Sequence, residues 1–100
     1  MKTLLQIDFP YNGPFGEAMA EAFSPLAESI AQESGLIWKI WTENRHTNEA
    51  GGIYLFEDVA SAETYLAMHT ARLESFGVQG IRSKLFEVNL PLSAITKMVL

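Results

Sequence analysis

The stretch "SGLIWKIWTENR", residues 34–45, decides how the chain folds. Its run of β-branched and aromatic residues reads as a strand from about 36 to 43. Successive side chains of a strand point to opposite faces. Leu36, Trp38 and Ile40 therefore share one face, and Ile37, Lys39 and Trp41 share the other. If the Leu36 face carries the helices, Trp38 points toward them and Trp41 lies on the far side with the Lys39 stem over it. The next strand, "GIYLF" (52–56), is also apolar on both sides, with Ile53 and Leu55 one way and Tyr54 and Phe56 the other. Both faces of the sheet must then be covered.

The other elements follow from the same periodicities. "TLLQIDF" (3–9) alternates, then meets the turn chemistry of "PYNGPFG". Residues 15–31 place Phe15, Ala18, Met19, Ala22, Phe23, Leu26, Ala27 and Ile30 on one helical stripe. Pro25 interrupts that stripe and predicts a kink or break, and Gly35 ends the region as a C-cap. "NRHTNEAGG" turns the chain, and Asp58 caps a second helix over 59–76 that Gly77 stops. Its inner stripe is Ala62, Tyr65, Leu66, His69, Leu73 and Phe76. "VQGIRSKLFEV" (78–88) is the fourth strand, with Gly80 as a bulge, and the tail holds one short helix. The order βαββαβ predicts a single α+β domain over 1–100, a ferredoxin-like sandwich with two helices on one sheet face. A second copy packed face to face across a two-fold axis is the simplest cover for the other face. That arrangement is a dimeric α+β barrel.

Composition narrows the function. The net charge is −5, and the seven Lys and Arg are scattered rather than clustered, which disfavours nucleic acid and anionic membranes as partners. With no cysteine, disulfides, thiolate metal sites and thiol catalysis are excluded. No secretory leader or membrane-spanning run is visible, so a cytoplasmic location is the expectation. No strand–Gly-rich loop–helix context supports a dinucleotide, and His46 and His69 lack a metal-ligand spacing.

The segments "NGPFGEAMAEAFSPLAESI", "GLIWKIWTEN", "EAGGIYLFED" and "HTARLESFGV" closely resemble the YdhR-type monooxygenase family, in register from about Leu4 to Leu92. The resemblance implies a dimeric α+β barrel related in fold to cofactor-independent monooxygenases of aromatic polyketides. Fold alone does not fix function.

Among single residues, His69 is the sharpest candidate for chemistry. An imidazole on the inner helix stripe serves either as a base or hydrogen-bond donor toward a phenolic substrate, or as a core residue satisfied by a backbone carbonyl or Tyr54. Trp38 is expected to stack on a planar substrate or simply to fill the core. Tyr54, Tyr65 and Asn12 supply polar tips, with Asn12 near the mouth of the cavity or only a turn residue. Arg72 either binds an anionic substrate group or pairs with Glu74 or Glu63. The resulting expectation is an oxygenase that needs no cofactor and acts with dioxygen on a small aromatic or quinol-like compound. The alternatives are a non-catalytic small-molecule-binding dimer and a haem-binding or haem-degrading protein with His69 as axial ligand.

Overall fold

β2 (Leu36–Asn44) and β3 (Glu49–Phe56) form a hairpin, and the sequence determines how its turn is made. Asn44 Oδ1 accepts hydrogen bonds from the backbone N–H groups of His46 and Thr47 at 3.0 and 3.1 Å. An Asx side chain thus imitates the missing backbone partner. Asn48 takes the left-handed conformation, φ 54°, that Asn tolerates better than most residues. β1 (Thr3–Pro10) pairs antiparallel with β3 on one side and with β4 (Arg82–Glu87) on the other. The sheet order is β2-β3-β1-β4. With α1 (Gly16–Ala31) and α2 (Val59–Ser75), this is the βαββαβ ferredoxin-like fold; a short α3 (Leu90–Ile95) follows. The computed structural model describes residues 1–100.

The helices pack on one face. Leu5, Ile7, Tyr54 and Phe56 from the sheet meet Ile30 of α1 and Ala62 and Tyr65 of α2 in the central core. Asp58 caps α2 by accepting from Ser61 N–H at 2.8 Å. α1 runs unbroken through Pro25, against the expectation of a break. Pro25 lies on the exposed side of α1, so the N–H it lacks would have bonded a solvent-facing carbonyl. Gly35 has φ +81°, and a Cβ there would lie 2.4 Å from Ser61 Oγ, so both conformation and space require glycine. Gly80 precedes β4 instead of bulging within it. No helix is long and apolar enough to cross a membrane.

One irregularity redirects every side chain of β2 beyond its start. Leu36 sits opposite Phe56, yet Trp38 sits opposite Leu55. Two steps on β2 answer one on β3, so Ile37 is the extra residue of a β-bulge. Leu36 packs on the helix-side core, but past the bulge the alternation is inverted. Lys39 aligns with Tyr54 and Trp41 with Gly52, on the helix side. Trp38 and Ile40 align with Leu55 and Ile53, on the outer side. The expected faces of Trp38 and Trp41 are therefore exchanged. Trp38 lies on the outer face, where its indole N–H donates to the Val99 carbonyl at 3.0 Å. Trp41 stacks on Phe23 of α1, with ring centroids 6.4 Å apart.

Candidate functional site

Between the inner sheet face and the two helices lies a cavity of about 290 Å³. That is just under the range for small-molecule sites, roughly 300–1,000 Å³. Its floor is made where β3 carries small residues. Ala50 and Gly52 stand on the inner face, in line with Phe9 and Ile7 of β1. A Cβ on Gly52 would fall 2.5 Å from Lys39 Cε, so the absent side chain is what lets Lys39 arch over the strand. Met19, Phe23 and Leu26 of α1 form one wall, and His69 and Leu73 of α2 the other. The Tyr11–Pro14 loop and Phe76 close the end.

Few polar groups reach this space. Lys39 Nζ sits 3.3 Å above the Trp41 ring centroid and 4.7 Å from that of Tyr54. The quadrupoles of the two rings partly replace a counterion. Burial, reinforced by the Arg72 charge, lowers the Lys39 pKa to about 7. His69 is buried against the Tyr65 ring, and its Nδ1 is approached by Arg72 Nε at 3.2 Å and Nη2 at 2.9 Å. A guanidinium only donates, so Nδ1 keeps its lone pair and the neutral ring carries its proton on Nε2. Burial first, then Lys39 and Arg72, push the His69 pKa down to about 3. His69 lines the cavity, and with Nδ1 engaged by Arg72 its Nε2–H is the ring group left to offer a ligand. Tyr65 donates its hydroxyl hydrogen to Tyr54 Oη at 3.2 Å. Burial raises both phenols, Tyr65 to about 12 and Tyr54 further, so both stay protonated.

The structure brings only part of the expected set together. His69 and Tyr54 line the cavity. Tyr65 stands one layer behind, against Tyr54. Asn12 lies in a shallow recess that shares Tyr11, Phe76 and Val78 with the cavity, at its mouth. Arg72 forms no ion pair with Glu74 or Glu63; it binds His69 instead. Trp38 is excluded from the cavity because the bulge turns it outward, and Trp41 takes its place. Lys39 is the cavity-lining cation that alternation placed on the opposite sheet face. Its signal was present: a lysine between two tryptophans, on a strand whose hairpin partner has a Gly-Gly pair.

The family described as "Putative mono-oxygenase ydhR" matches residues 4–99. The chain belongs to that family. Solved structures share this family member's fold at low identity. An oxygenase from Streptomyces nogalater, SnoaB, described as cofactor-independent, is 17% identical with a TM-score of 0.62, over 88% of this chain and 93% of that one. A "putative antibiotic biosynthesis monooxygenase" from Deinococcus radiodurans is 11% identical with a TM-score of 0.63, over 87% and 92%. Protein SO0527 from Shewanella oneidensis is 16% identical with a TM-score of 0.61, over 85% and 88%. No curated protein matches the sequence.

Proposed function

We propose that this ydhR-family member is a cofactor-independent monooxygenase of a small phenol- or quinol-type compound. The observation that carries the reading is the presence, in the lining of one apolar cavity, of a lysine without an ion pair and an imidazole whose Nδ1 is engaged by Arg72. In this reading the Lys39 amine takes the hydroxyl proton of the substrate, and His69 Nε2–H holds the resulting oxyanion. The electron-rich ring then reacts with dioxygen. One oxygen atom is bonded to the ring carbon as that carbon loses its hydrogen, and the other leaves as water. A phenol thus becomes a quinone, and the substrate supplies every electron. Of the two roles expected for His69, donor fits this geometry and base does not, because Nδ1 is engaged by Arg72 and the remaining nitrogen, Nε2, carries the proton.

The same tautomer weakens the haem alternative. A metal-ligating histidine normally donates its second N–H to an acceptor and offers a lone pair to the metal. Here the second nitrogen accepts from Arg72. Oxygen uptake by the purified protein with monohydric naphthols and hydroquinones tests the proposal. The rate should fall as pH drops through about 7, where Lys39 becomes protonated, and Lys39→Met should lose roughly 10²–10⁴-fold. Oxygen uptake absent across the series would leave a small-molecule binder and end the oxygenase reading.

A further inference from the structure

The cavity has a charge imbalance that bears on its ligand. The chain as a whole is acidic, with net charge −5, yet no carboxylate lines the cavity. Its one charged lining residue, Lys39, forms no ion pair, and neither does Arg72 behind His69. The groups facing Lys39 can be named element by element: Tyr54 from β3, His69 and Arg72 from α2, and Tyr11 from the loop after β1. α1 contributes only Met19, Phe23 and Leu26 to the lining. None of these is an anion at neutral pH. An ammonium in apolar surroundings without a counterion is costly, and a ligand oxyanion removes that cost. His69, whose Nδ1 is engaged by Arg72, offers a ligand its Nε2–H, also a donor. The Tyr54 hydroxyl already receives a hydrogen bond from Tyr65.

We propose that the cavity selects flat, acidic hydroxy-aromatic compounds, phenols or enols as substrates and hydroxyquinones as unreactive ligands, and binds them as anions between Lys39 Nζ and His69 Nε2–H. The inference rests on the cavity being the substrate site of the oxygenase reading, and it names the chemical class that site takes. Charge provides the selectivity. An anion meets the ammonium, an uncharged ether of the same shape leaves the cation unpaired, and a cationic ligand is repelled.

Calorimetric titration with 2-hydroxy-1,4-naphthoquinone and its 2-methoxy ether tests this without turnover, because both rings are already oxidised. The hydroxy compound, ionised at neutral pH, should bind the wild-type protein at least tenfold more tightly than the ether. At pH 8 its binding should draw a proton from solution onto Lys39, seen as a heat that varies with the buffer's ionisation enthalpy. Lys39→Met should abolish both the preference and the proton uptake while still binding the ether, which shows that the site is folded. Lys39→Arg keeps a cation and should keep the preference, so the test survives an unstable methionine variant. Equal affinity for the two compounds, binding of neither, or a preference that persists in Lys39→Met overturns the inference. Oxygen uptake is measured separately, so tight anion binding without turnover would end the oxygenase reading and leave this one standing.

Discussion

Lys39 and His69 make stability depend on pH, and the sign follows from which state holds more protons. Both are bases whose folded pKa lies below the unfolded value, Lys39 at about 7 against 10.5 and His69 at about 3 against 6.5. Between each pair of values the unfolded chain binds more protons, so stability rises with pH there. The His69 contribution is complete above about 6.5 and is lost as pH falls toward 3. The Lys39 contribution grows from about 7 to 10.5 and is absent at lower pH. Lys39→Met removes an ammonium that the fold tolerates poorly while keeping an unbranched stem over Gly52. It should therefore stabilise the protein at pH 6, by roughly 1–3 kcal/mol once partial solvent screening is allowed for. The gain should shrink toward pH 10. Thermal melts of both proteins across that range check this, and a variant less stable at pH 6 would show that the ammonium is well satisfied where it lies.

At the level of elements, the connection between α1 and β2 controls the site from a distance. Gly35 leads into the strand in a left-handed conformation against Ser61 of α2, and the bulge follows at once. Gly35→Ala meets both the backbone strain and the Ser61 hydroxyl, and should cost roughly 1–3 kcal/mol in denaturant titrations. Adding Ser61→Gly should recover only part of that loss, because the φ angle is unchanged. An alanine variant as stable as the parent would refute this account. The same junction marks where the sequence stopped being readable. Periodicity found the sheet, both long helices, the Asp58 cap and the Asn44 turn, because each has a local chemical cause. It had no means of seeing the bulge, since one extra residue changes no composition and leaves Leu36 where alternation puts it. Every face assignment in β2 beyond Ile37 is therefore inverted, which takes Trp38 from its expected role and hides Lys39. His69 and Tyr54 were legible because α2 and β3 run without interruption. The Arg72 contact with His69 is an i, i+3 pair on one helix, which spacing permits; the choice of His69 over Glu74 or Glu63 depends on tertiary burial.

Across the whole molecule, the outer sheet face is graded from apolar to charged. Trp38, Leu55, Leu4 and Phe86 align across the four strands, Ile40, Ile53, Gln6 and Lys84 form the next row, and Thr42, Gly51, Asp8 and Arg82 the third. The polar end is internally neutralised, since Arg82 pairs with both Asp8 and Glu49. The chain's own tail reaches the apolar end at Trp38, and Leu55 there is fully buried. Ile40 and Phe86 nevertheless remain 55% and 46% exposed, and no α1 or α2 side chain can reach them through the sheet. A second copy of the same face, turned about a two-fold axis, supplies apolar rows to match these and brings no unpaired charge from Arg82. We therefore propose a homodimer through this face, and the two-strand apolar character that first suggested it points to Ile40 as the diagnostic position instead of Trp41. Sedimentation at micromolar concentration should give about twice the 11.1 kDa chain mass. Ile40→Glu places a carboxylate on the exposed apolar part of that face and should shift the protein to monomer, with the cavity on the opposite side of the sheet still binding its ligand. A wild-type protein that sediments as a folded monomer at that concentration would leave the face without a second copy, and the dimer would be wrong.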